Sequence, residues 1–142
     1  MSDNRIENLN VLEEQPIITP NALKEKYPLT ENIINTVLEG QTTIKNILNK
    51  KDKRILVVVG PCSIHDIDAA KEYATKLKAL ADELKDTLYL VMRVYFEKPR
   101  TTTGWQGLIN DPHLDNSCDV NEGLQICREL LTHVAELGLP TA

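Results

Sequence analysis

Apolar residues along this chain recur in two different ways. Ile33, Ile34, Val37, Leu38, Ile44, Ile47 and Leu48 return at helical spacing, in a face broken around Gly40. Ala70, Tyr73, Ala74, Leu77, Leu80, Ala81 and Leu84 do the same, as do Leu124, Cys127, Leu130, Leu131, Val134 and Leu137. Between these stripes lie two unbroken apolar runs, Ile55 to Val59 and Leu88 to Val94. Continuity without alternation predicts strands covered on both faces. Leu139-Pro-Thr-Ala142 reads as the start of a third strand, cut short.

The polar residues between them place the boundaries. Thr19-Pro20 is a helix start, a hydroxyl cap followed by proline at the first helical position. That helix is short, because Pro28 disfavours helical backbone at Tyr27. Thr30 and Asp66 each cap a following helix. Asp119 with Glu122 resembles a capping box with Asp in the hydroxyl's place, and Gly138 ends that last helix. Residues 1–18 are polar and aperiodic and predict an extended or partly ordered arm. The stretch between the second strand and Asp119 is roughly 25 residues long, beyond ordinary connections, which marks it as functional. Helical arm, strand, helix, strand, long loop, helix and strand start form the order of a parallel α/β fold. A full (β/α)8 barrel takes about 250 residues, so the chain would supply roughly a quarter to a third of one. The pattern leaves open a piece of such a barrel or a smaller open sheet.

Composition narrows the setting. Aromatics make up only 4%, so the core must be aliphatic. Three cysteines at irregular spacing form no disulfide framework, and no apolar leader or membrane-length run is seen. These features predict a reduced, cytoplasmic protein. A net charge of −5 argues against nucleic acid as the main partner, and no membrane partner is expected.

Against that acidic average, Arg93, Lys98 and Arg100 gather with Thr101, Thr102 and Thr103 just beyond the second strand. Fixed cations and hydroxyls at a strand end are the chemistry that holds anions. Arg93 follows an apolar run, where an unpaired guanidinium is costly to leave. Gly60-Pro-Cys-Ser-Ile-His-Asp66 closes the first strand, so two strand ends point to one site at the top of a parallel sheet or barrel. Alone, Cys62 reads either as a small residue in a tight turn or as a soft metal ligand. A zinc set of Cys62, His65, His113 and Cys118 has an outer spacing unlike structural zinc sites.

Taken together, Gly60-Pro-Cys-Ser-Ile-His-Asp66 and Arg93-Val-Tyr-Phe-Glu-Lys-Pro-Arg-Thr101 closely resemble class I 3-deoxy-D-arabino-heptulosonate 7-phosphate (DAHP) synthases. The resemblance continues through Gly104-Trp105, Gly107-Leu-Ile-Asn-Asp-Pro112 and Gly123-Leu124. Gln106 departs from it, standing where the family commonly has a basic residue. The resemblance implies a partial aldolase-type (β/α)8 TIM barrel preceded by a helical N-terminal arm. Residues 1–50 would form the arm and helices used in subunit contact and regulation, and 51–142 the first β/α units. It implies condensation of phosphoenolpyruvate with erythrose 4-phosphate at the head of the shikimate pathway, which makes the aromatic amino acids. Arg93 and Lys98 would then be catalytic and contact phosphoenolpyruvate. Pro99, Arg100 and Thr101 would complete the substrate site, with Arg100 and Thr101 on the erythrose phosphate. Cys62 would ligate a divalent metal, for which Mn, Fe, Co and Zn all suit. Ser63, His65 and Asp66 would support the turn. The complete enzyme would be a homo-oligomer with an aromatic amino acid effector, Tyr or Phe. The 142-residue chain reads as an N-terminal portion, inactive by itself, with a non-catalytic remnant that binds phosphates or a full-length subunit as the alternative.

Overall fold

The computed structural model describes Leu9 and residues 14–98 and 103–142. Its elements run α1 (Pro20–Lys26), α2 (Glu31–Leu48), β1 (Ile55–Val59), α3 (Ile67–Glu83), β2 (Leu88–Met92) and α4 (Val120–Glu136). The helix starts follow the polar signals. Thr19, Thr30, Asp66 and Asp119 each accept a hydrogen bond from a backbone N–H of the first turn they cap. Asp119 forms only half of a capping box, because the Glu122 carboxylate turns outward to His113.

β1 and β2 pair in parallel, with Ile55 opposite Leu88 and Val59 opposite Met92. On its other side β2 meets the chain end: Met92 bridges Thr141 in parallel, Met92 N–H donates to Pro140 O and Ala142 N–H to Met92 O. The start of a third strand is therefore where the sequence placed it. Met92, Leu108, Leu130, Leu139 and Val134 are the heart of the core, packed between β2, α3 and α4.

Three expectations need correction. β1 is not covered on both faces: Ile55 is 61% and Val58 50% exposed. Among the described residues β1 pairs only with β2, so it is an edge strand, and its apolar run is not evidence of cover. α2 is continuous through Gly40 rather than broken there. Gly40 is buried and lets Pro140 approach, since a Cβ at that position would lie 3.1 Å from Pro140 Cβ. The α2 stripe is also only partly inward, with Ile33 buried and Val37, Leu38 and Leu48 exposed. Among the described residues no helix is long and apolar enough to cross a membrane.

Candidate functional site

The in-step parallel ladder brings the two strand ends level, so the residues following Val59 and Met92 are neighbours. Arg93 N–H donates to Val59 O, and Ile64 N–H donates to Tyr95 O across the two post-strand segments. Gly60 permits this closeness. A Cβ there would stand 3.0 Å from Arg93 N and nearer still to Arg93 O. Any side chain at position 60 would push the Cys62 turn away from β2.

Lys98 reaches the same place by a different route. Beyond β2 the chain folds back, with Glu97 bridging Gly107 antiparallel, Lys98 N–H donating to Gln106 O and Leu108 N–H donating to Phe96 O. Leu108 is then buried in the core and anchors the fold-back. The fold-back returns the Lys98 ammonium over the first strand end, where it donates to Cys62 Sγ at 3.1 Å. Cys62 is exposed. The Lys98 ammonium, and behind it the Arg93 guanidinium, hold its thiol below the ordinary range, because both cations favour the thiolate. The Arg93 guanidinium also lies 5.1 Å from the centre of the Tyr95 ring, stacked as a cation over an aromatic face.

The structure thus brings together Cys62, Arg93 and Lys98, which the sequence had singled out. Asp66 is the cap of α3. His65 stands edge-on to Trp105 with ring centres 6.4 Å apart, and Trp105 Nε1–H donates to Asp111 O at 2.7 Å. Pro99, Arg100 and Thr101 lie outside the described residues. Gln106 is exposed and serves the site through its backbone carbonyl. His113 pairs instead with Glu122 at 3.0 Å, and among the described residues no three of His, Cys, Asp and Glu converge as a metal ion would require. Cys127 is buried, and burial pushes its thiol up to about 12, away from any thiolate role. Trp105 and Asp111 stood in the sequence only as part of the motifs Gly104-Trp105 and Gly107-Leu-Ile-Asn-Asp-Pro112, and the bond that ties the loop to itself through them had no signal in the residues.

What the arrangement can do is bind. Two cations and a thiol whose ionisation they favour share one shelf at the carboxyl ends of adjacent parallel strands. Such a shelf suits a small multiply charged anion, and Cys62, once ionised, could serve as one ligand of a divalent metal.

Known proteins match this chain closely. The model for the DAHP synthetase I family matches residues 26–142. The Phe-sensitive phospho-2-dehydro-3-deoxyheptonate aldolase of Escherichia coli K12 is 58% identical over 136 residues, covering 96% of this chain and 39% of that protein. The Tyr-sensitive enzyme of the same strain is 51% identical over 142 residues, covering 100% and 40%, and the Trp-sensitive one 49% identical over 139 residues, covering 98% and 40%. A solved phospho-2-dehydro-3-deoxyheptonate aldolase from Francisella tularensis SCHU S4 superposes with a TM-score of 0.88 at 48% identity, covering 93% of this chain and 39% of that one. The chain spans about two fifths of the length of the relatives it matches.

Proposed function

The chain belongs to the DAHP synthetase I family, and on that premise we propose that it supplies the first part of a synthase that joins phosphoenolpyruvate, erythrose 4-phosphate and water into DAHP and phosphate. In this reading β1, α3, β2 and α4 are the opening units of a (β/α)8 barrel spanning 51–142, and residues 1–50 serve subunit contact and effector control. Relatives named for sensitivity to Phe, Tyr and Trp support an aromatic amino acid as the effector, here Phe or Tyr. A cytoplasmic homo-oligomer fits the same reading.

The observation that carries the proposal is the meeting of Cys62, Arg93 and Lys98 at the carboxyl ends of β1 and β2. The reaction brings two anions side by side, and that demands fixed positive charge. Arg93 is preset by the ladder and offers a planar fork to a phosphate or carboxylate of phosphoenolpyruvate. Lys98 offers a compact ammonium to the same substrate as its carbon 3 attacks the sugar aldehyde. Arg100 and Thr101 follow in sequence and are assigned to the erythrose phosphate, with Pro99 stiffening the step between the two pairs. A divalent metal, when bound, would supply Lewis-acid polarisation of that aldehyde. The depressed Cys62 thiol fits one of its ligands, because only the thiolate ligates.

Steady-state kinetics on a chain of the relatives' full length test this. Lys98→Ala should mainly impair phosphoenolpyruvate use, and Arg100→Ala should mainly raise KM for erythrose 4-phosphate. Each loses a charged hydrogen bond to a bound phosphate, about 2–4 kcal/mol of transition-state binding. Two variants with wild-type kinetics for both substrates would leave the cluster a solvated loop.

A further inference from the structure

The N-terminal segment lies along α4 and is tied to it mostly by polar contacts. Lys26 Nζ donates to Gln125 Oε1, Arg128 Nη2 to Tyr27 O, and Asn32 Nδ2 to Glu136 O. α1 has no buried residue, so these ties contribute to where it sits. The tie nearest the site is double. Ile18 N–H donates to Asn121 Oδ1 at 2.7 Å, and Asn121 Nδ2 donates to Pro16 O at 3.1 Å. A carboxamide pairing both ways with an extended backbone copies one rung of a β ladder, and the pairing fixes which end of the amide is oxygen.

Asn121 is in the first turn of α4, and that turn rests directly on the loop carrying Lys98. A Cβ at Gly123 would lie 2.7 Å from Leu108 O and closer still to Ile109 O, so backbone meets backbone there with no side chain between. Leu108 N–H donates to Phe96 O at 2.6 Å, Lys98 N–H donates to Gln106 O at 3.0 Å, and Lys98 Nζ donates to Cys62 Sγ. From Gly123 to the Lys98 amide, every link in this series is a backbone hydrogen bond or a backbone-to-backbone contact. Backbone-to-backbone packing transmits displacement where a flexible side chain would absorb it.

We propose that Asn121 is a positioning residue: by clamping Pro16 and Ile18 to the first turn of α4, it sets the seat of the fold-back that presents Lys98, so the N-terminal segment and the anion-binding loop are held as one unit. The functional weight of this coupling rests on the reading of Lys98 as a substrate contact. The coupling itself is a property of the 142-residue chain and is tested without substrate.

The test is amide hydrogen exchange on that chain, comparing wild type, Asn121→Ala, Ile18→Pro and the double variant. Ile18→Pro removes the arm's donor and leaves the loop's own residues unchanged. Both single variants should speed exchange at the Lys98 and Leu108 amides about tenfold, the worth of one or two hydrogen bonds. The Val91 amide and the middle of α3 should stay at wild-type rates, which separates positioning from general loss of stability. The double variant should be no faster than either single, since both remove the same clamp. Loop amides that keep wild-type rates, a rise spread evenly over α3 and β2, or additive effects in the double variant would each overturn the proposal. None of these outcomes bears on whether Lys98 binds phosphoenolpyruvate, which the kinetics decide separately.

Discussion

The Cys62 thiol sits beneath two cations, and its reactivity follows from theirs. A lowered thiol pKa means more thiolate at any given pH, so Cys62 should be alkylated readily by iodoacetamide near neutrality in metal-free buffer. Lys98→Met removes the larger influence and should move the rate–pH profile of Cys62 upward in pH. Buried Cys127 should stay unmodified in the folded chain and so serves as the internal control. Mass spectrometry of the alkylated peptides reads all of this, and an unmoved Cys62 profile would break the proposed link. His113 carries a second pH dependence, of opposite sign to the usual acid effect. Glu122 raises its pKa above the unfolded value of about 6.5. The pair therefore stabilises fully below that value and loses its effect as pH rises through the folded pKa. Melting temperatures taken below and above this window should differ slightly more in wild type than in His113→Gln, a small effect because the pair is exposed. The identities of Cys62, Arg93 and Lys98 were legible from sequence as cations and a thiol at strand ends. That two strand ends share one site was legible as well, but the route of Lys98 was not, because it arrives through the Glu97–Gly107 fold-back, a long-range pairing without period.

Helix boundaries were the most legible elements, since a cap is a local event within three residues. Asp66→Ala should cost about 1 kcal/mol, as removal of an N-cap acceptor does, read as a shift in denaturation midpoint. Gly123→Ala is expected to cost more, about 1–3 kcal/mol, because the added methyl meets carbonyl oxygens that cannot give way. A stability equal to wild type would deny the tight seat of α4 on the loop. Elements whose form depends on distant neighbours were read less well. Gly40 looked like a helix break because glycine lowers helix propensity, whereas its reason is Pro140, a hundred residues away in sequence. The Glu122 side chain had two partners open to it, and the choice of His113 over its own cap depends on the loop.

For the whole molecule, the order of elements was legible from the chain, but which edge was left open was not. An apolar run says that a strand can be covered, not that it is. With Ile55 and Val58 exposed on an edge strand, the 142-residue chain should self-associate as its concentration rises, and Val58→Lys should suppress this. Sedimentation over a concentration series checks it, and equal association by both would place the contact elsewhere. The in-step pairing of β1 with β2 has one more consequence, for changes of chain length. Each strand residue advances the chain by about 3.3 Å and reverses the side chain's direction. One residue inserted between Ile55 and Cys62 would thus carry the thiol out of reach of an ammonium now 3.1 Å away. The same insertion in the Lys85–Thr87 turn can bulge into solvent before β2 takes up its register. Insertions and deletions should therefore be tolerated between α3 and β2 and rejected along β1, which makes the two strands a ruler whose marks are read at Cys62 and Arg93.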